Sequence, residues 1–401
     1  MAGKLLEGRF RWFILLGSST IAFLEMGLLK TSGVFLDDIS RDLQASTTLL
    51  GLALALSHGI AIVYYLCPMF LRVVSLRKLT LIGSSLSAAG YITASMSTNG
   101  VHFLSSMLIT GIGMSVVIFP AHASLLLYFP DMFNVATSVM LTAGGLGMMT
   151  LPVMAEELRL TYDWRGAMLI LGGFQLHLLP CCALFRPLEE SPQDSDRKES
   201  TDDRLTHPAN ILKDNRPSET RCMATVVGWM QSFIHLDLFR QFPAFIVLGI
   251  TFIFGFVPYS SWIIFVIPNA LSKGIVLRHA VLLATFGGSA NILGRLLIGP
   301  FSRAQVFPDY LIFCVLHLCS ACAFLLNIVV ESFAGLAMLS VASGLTIGAS
   351  TVLNSVLAKS FVSEEYEIKA LAIFYLAAGS GEILGGFMTG EYDIHAFPVK
   401  D

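Results

Sequence analysis

Charge is what this sequence has least of. Only 13% of its 401 residues are Asp, Glu, Lys or Arg, where a soluble chain carries about 25%. A water-facing surface of ordinary size cannot be covered with so few. Net charge is −3, so no basic field points to nucleic acid. The seven cysteines (Cys67, Cys181, Cys182, Cys222, Cys314, Cys319 and Cys322) lie mainly in apolar runs and lack metal-ligand spacing, so they read as small hydrophobes. There is no G-x-x-x-x-G-K-[ST] loop, so ATP drive has no support. No Ser-His-Asp constellation or metal motif occurs, and the expectation is a protein that is not an enzyme and has no cofactor. The amino-terminal segment "MAGKLLEGRFRWF" has no A-x-A cleavage site behind a short apolar core, which disfavours a signal peptide.

What is abundant is apolar length. Hydrophobic residues make up 55% of the chain and mean hydropathy is +0.72. A membrane helix needs about 20 mostly apolar residues. Runs at 12–36, 48–70, 79–97, 101–129, 135–155, 166–185, 242–268, 280–301, 307–330, 333–358 and 370–390 meet that need, and eleven spans are expected. With the amino terminus in the cytoplasm, Lys4, Arg9, Arg11, Arg72, Arg77, Lys78, Arg303, Lys359 and Lys369 fall in inside loops. The outside loops then hold only Arg41, Arg159, Arg165, Lys273, Arg278 and Lys400. That asymmetry sets the orientation. The expected organisation is a six-helix bundle over 1–185, a partly disordered cytoplasmic linker over 186–241 rich in Ser, Asp, Pro and Lys, a five-helix bundle over 242–390, and a short tail over 391–401. Six helices, a long linker and more helices is the plan of the major facilitator fold, two bundles around a central cavity.

Three segments resemble the monocarboxylate transporter family. The first, residues 7–36, carries Glu7, Gly8, Phe10 and Trp12, then Lys30 before Gly33, Val34 and Phe35. The second, "YDWRGAMLILGGFQLHLLPCCALFRPLEE" at 162–190, has a Trp-Arg-Gly, a Gly-Gly pair and a following Arg-Pro. The third, "TGEYDIHAF" at 389–397, looks like the turn between the family's last two spans. There are departures as well. Met132 and Phe133 replace a basic pair, and Asn291 stands where well-studied members carry an aspartate four residues before the arginine matched by Arg295. The chain stops after the eleventh span, where the family has a twelfth. The resemblance implies carriage of a small monocarboxylate or related organic anion across the plasma membrane by alternating access, with protons as a candidate co-substrate and a single-span accessory glycoprotein as a candidate partner beside the bilayer itself. A non-transporting carrier that regulates a full-length relative is the alternative.

The intramembrane charges are the candidate site. Lys30 lies about 27 Å along the first helix from Trp12, at a rise of about 1.5 Å per residue. There it either snorkels to the outer interface or, as the resemblance implies, receives the substrate carboxylate. Glu25 is deeper, about 20 Å in, and is either a proton site or a neutral acid bonded to a neighbouring helix. Arg295 either reaches the inner headgroups or offers its planar fork to a carboxylate in two parallel bonds. Asn291, one turn earlier, is placed to orient it. Glu382, in "GSGEILGG" at 379–386, is a second candidate proton site. His58 and His122 are expected to be packed and bonded. The glycine-rich runs at 111–115, 144–149 and 379–386 are expected to let helices approach closely.

Overall fold

The structure is a computed structural model that describes residues 2–57, 61–185 and 236–396; some helical side chains within these ranges, including that of Lys30, lie outside the described residues. His58, Cys222 and nearly all of the expected linker also lie outside them. The described chain is helical. In order come α1 (Ala2–Thr31), α2 (Leu36–Leu43), α3 (Thr47–Ser57), α4 (Ala61–Val73), α5 (Leu76–Ser95), α6 (Gly100–Tyr128), α7 (Phe133–Gln175) and α8 (Leu178–Ala183). After the linker come α9 (Leu236–Gln241), α10 (Ala244–Ser272), α11 (Leu277–Arg303), α12 (Asp309–Val329), α13 (Phe333–Ser360) and α14 (Glu367–Ala396). Among the described residues, six helices are long and apolar enough to cross a membrane. One of the six is the 54-residue stretch Pro130–Ala183, about 81 Å at the helical rise and so enough for two crossings. It bends where Asp163 adopts φ 59 and ψ 175, outside the left-handed helical region and in backbone space ordinarily left to glycine. α5 has a span's length but is diluted by Ser84, Ser85 and Ser87, and falls outside that set.

The helices manage polar groups as a lipid-embedded chain must. Thr20, Thr110 and Ser115 return their hydroxyls to the carbonyls of Leu16, Ser106 and Gly111, each four residues back, which leaves no hydroxyl proton facing hydrocarbon. α6 starts on Asn99, whose side chain accepts from the His102 N–H at 2.8 Å, and α13 starts on Ser332, capping Gly335 at 3.3 Å. α14 runs on to Ala396 through the segment expected as a turn. No glycine or proline intervenes between Gly390 and Pro398 to break it.

Helices α1 and α5 to α7 pack as one group, and α10, α11, α13 and α14 as another. Small residues set the distances. A methyl group on Gly147 of α7 would overlap the backbone of Phe23 on α1, one on Gly344 of α13 the backbone of Gly287 on α11, and one on Gly381 of α14 the backbone of Ile253 on α10. In lipid, where no hydrophobic drive joins helices, such close approach is what holds them. The two groups meet through α7 against α11 and α4 against α14. The near end of the molecule, where α1 begins, also holds the end of α6, the start of α7, the ends of α11 and α13 and the start of α14. The groups are bridged in that half. Asn134 donates to Ser302 at 2.6 Å, Ser138 to the Arg295 carbonyl, and Lys359 to the Pro130 carbonyl at 2.9 Å.

The opposite end of the first group has its own clamp. Arg159 of α7 pairs with Asp38 of α2 at 2.7 Å and with Glu156 at 2.8 Å. Arg165 and the Trp164 indole both donate to Asp42, at 2.9 and 3.1 Å. The Trp-Arg of the Trp-Arg-Gly motif is thus a fastener for α2, a role that sequence reading did not assign.

Candidate functional site

Arg295 is the most telling side chain in the chain. It sits on α11, 0% exposed, among the largest fully buried residues. A guanidinium reaching the inner headgroups would be exposed, whereas full burial places it inside the protein. One terminal nitrogen donates to the Leu141 carbonyl of α7 at 2.9 Å and lies 3.7 Å from the Met26 sulfur of α1. The other donates to the Tyr259 hydroxyl of α10 at 3.3 Å. Its Nε has no partner among the described residues. All three acceptors are uncharged, and they come from both helix groups. Gly145 of α7 brings the groups close here, with Ile292 3.0 Å from where its Cβ would stand.

The other candidates surround this point unevenly. Asn291 is buried, but its amide turns to the Gly344 carbonyl of α13 at 3.3 Å, not to the guanidinium one turn on. Glu25 neighbours Met26 on α1. It is 9% exposed, and its Oε1 has no hydrogen-bond partner among the described residues. Glu382 lies seven residues beyond Tyr375 on α14. Seven residues return a helix to nearly the same face, and Tyr375 stacks on Tyr64 of the first group, ring centroids 4.9 Å apart. Glu382 therefore stands on the face that looks toward the first group, but two turns farther from the near end, and there it is exposed. The charge of Arg295 acts on both Glu382 and Tyr259. Lys30 lies in the last turn of α1, and its side chain is outside the described residues. Two carboxyls and one arginine thus flank the space between the helix groups.

Tyr259 was invisible to sequence reading, because one tyrosine in the apolar run of α10 carries no pattern. The neutral Leu141 carbonyl was equally unreadable. A cavity of about 220 Å³ lies within the second group, bounded by α10, α12 and α13. It shares Tyr259 as a wall but lies beside the arginine rather than around it, so the buried charges mark the site better than the cavity does. His122 is buried and bonded, as expected. Among the described residues, no group of three or more His, Cys, Asp or Glu side chains is placed to hold a metal ion.

Long apolar helices in two packed groups, with a fully buried arginine at their seam, define a multi-pass membrane protein of transporter type. The chain belongs to the Major Facilitator Superfamily, whose profile matches residues 17–386. Within that superfamily it is similar to monocarboxylate transporters. It is 29% identical over 305 residues to monocarboxylate transporter 6 of Mus musculus, covering 73% of this chain and 61% of that protein. It is 28% identical over 315 residues to monocarboxylate transporter 12-B of Danio rerio, covering 75% and 64%. The chain thus matches less than two thirds of the length of these relatives. Two solved structures share the fold. One is the proton:xylose symporter XylE bound to 6-bromo-6-deoxy-D-glucose, with a TM-score of 0.67, 15% identity and coverage of 97% of this chain and 90% of that one. The other is the transporter FucP in the outward conformation, with a TM-score of 0.65, 14% identity and coverage of 96% and 91%.

Proposed function

We propose that this chain carries a small monocarboxylate or related organic anion across the plasma membrane by alternating access, with its amino terminus in the cytoplasm. Its working parts are a six-helix bundle over 1–185, a cytoplasmic linker over 186–241 and a second bundle over 242–390. The observation that carries the reading is Arg295. A buried cation surrounded by neutral acceptors retains a desolvation cost of several kcal/mol. An anion entering between the bundles supplies a directly bonded countercharge, and the guanidinium fork takes a carboxylate in two parallel bonds.

The remaining charges order the cycle. Lys30, near the outer end of α1, meets the anion first as a flexible point charge. The anion then passes to Arg295 and takes the place of Glu382 as its electrostatic partner. Glu382, exposed between the bundles, accepts a proton as the anion arrives, which keeps the loaded site near neutral and links transport to protons. Glu25 is the second candidate for that proton. Alternating access would part the bundles at the near end, where the bridges between them lie. A single-span accessory glycoprotein, implied by the family resemblance, belongs to the same proposal.

The test is uptake of labelled monocarboxylates into vesicles containing the purified chain, with and without an inward proton gradient. Saturable uptake that the gradient accelerates supports the reading. Uptake no faster than in empty vesicles for every monocarboxylate tried rejects it and leaves the non-transporting alternative.

A further inference from the structure

We propose that His122 and Tyr375 form the latch that holds the near end of the two bundles shut. The proposal rests on the alternating-access reading above, and it names the pair whose separation that motion requires. His122, on α6, is 0% exposed and engages partners at both ring nitrogens. Nε2 meets the Thr137 hydroxyl of α7 at 3.1 Å, within its own bundle. Nδ1 meets the Tyr375 hydroxyl of α14 at 3.0 Å, across the seam. Tyr375 is seated in an aromatic socket built by the first bundle. Tyr64 of α4 stacks on it at 4.9 Å with planes 29° apart, and Phe119 of α6 meets it edge-on at 5.9 Å. The imidazole is itself backed by Phe133, stacked at 5.7 Å and 15°, so it keeps its aim when the tyrosine leaves.

Other bonds across the seam run to backbone carbonyls, as with Ser138 on the Arg295 carbonyl, Arg295 on the Leu141 carbonyl and Lys359 on the Pro130 carbonyl, or join part-buried side chains, as with Asn134 on Ser302. The His122–Tyr375 pair joins two side chains, one from each bundle, with His122 fully buried, and the next turns of α14 lead up to Glu382. Separating the bundles at the near end must pull Tyr375 out of its socket. In the shut state each partner satisfies the other, with the imidazole of His122 wholly enclosed. In the open state water satisfies both. Removing one partner therefore penalises only the shut state, whereas replacing both by apolar rings of similar shape removes the penalty along with the bond. Thr137 serves a different purpose. Its bond to His122 lies within one bundle and survives the motion, so its loss biases neither state.

The experiment reads the near-end opening directly and needs no substrate. Leu371 lies one turn nearer the start of α14 than Tyr375, on the same face, and is 2% exposed. Leu371→Cys in the full chain, in vesicles whose near end faces the medium, is labelled by a membrane-impermeant maleimide, against a parent without that cysteine. Tyr375→Phe and His122→Phe are each expected to raise its labelling rate about tenfold, equivalent to about 1.4 kcal/mol. The double variant is expected to return to within about threefold of the latch-intact protein, and Thr137→Val to stay within the same limit. Tyr375→Phe keeps the ring and its stacking, so it and Thr137→Val decide the matter if His122→Phe does not fold. Unchanged labelling in Tyr375→Phe overturns the latch, as does a double variant labelled at the product of the single effects or a Thr137→Val change as large as that of Tyr375→Phe. Failure of anion uptake with this labelling pattern intact would reject the proposed cargo and leave the latch standing.

Discussion

Gly348→Ala tests whether the close seam of α11 and α13 positions the arginine. A Cβ on Gly348 would stand 2.8 Å from the Asn291 carbonyl carbon and 2.9 Å from its Cα. Ordinary carbon contacts lie at about 3.5–4.0 Å, so the helices must part by about 1 Å. The atoms met are backbone, with no rotamer to absorb the change. Overpacking of this kind costs about 1–3 kcal/mol. The displaced residue is Asn291, one turn before Arg295, and a shift of that size moves the arginine out of the geometry that gives its 2.9 Å bond to the Leu141 carbonyl. The chain is expected to melt at a lower temperature in detergent and to lose most anion uptake while still reaching the membrane. Gly288→Ala, where no atom lies within 4 Å of the added carbon, is the matched control on α11. If Gly348→Ala matches that control in melting temperature and uptake, helix proximity does not position the arginine and the reasoning fails.

Three further expectations can be checked with the same vesicles. Lys30→Gln lowers uptake sharply with surface expression near normal, and unchanged uptake would return Lys30 to interfacial anchoring. Glu382→Gln keeps anion exchange but loses most of the acceleration by an inward proton gradient; undiminished acceleration would remove Glu382 from proton coupling. Asp42→Asn removes the charge that pairs with Arg165, but the Arg165–Asp42 pair is 41% and 48% exposed, so the loss of stability is held to about 1 kcal/mol or less, and a collapse in melting temperature would show the clamp to be worth far more.

Much of the fold was legible because lipid demands it. Apolar length alone located helices α6, α12 and α13, and the glycine runs at 144–149 and 379–386 marked where α7 meets α1 and α14 meets α10. Boundaries were less legible where hydrogen bonding carries a helix through polar residues, as at the bend around Asp163 and in the extension of α14 to Ala396. At the site, an intramembrane charge is costly enough to announce itself, which is how Arg295, Glu25 and Glu382 stood out. Their partners did not, because the Leu141 carbonyl, the Met26 sulfur and the Tyr259 hydroxyl belong to residues that any apolar helix contains. The same blindness applied to Asn291, whose spacing suggested Arg295 but whose amide has a carbonyl of α13 within reach. Tyr375 and His122 are 253 residues apart, and no local pattern joins them.

The central claim is that Arg295 binds the transported anion, and its most direct test is saturable uptake of a labelled monocarboxylate by the parent, Arg295→Lys and Arg295→Gln in matched vesicles. The account predicts uptake in the parent, strong impairment in Arg295→Lys because an ammonium lacks the two-pronged fork, and none above background in Arg295→Gln, with all three proteins inserted in equal amounts. Parent-like uptake by Arg295→Gln would contradict it.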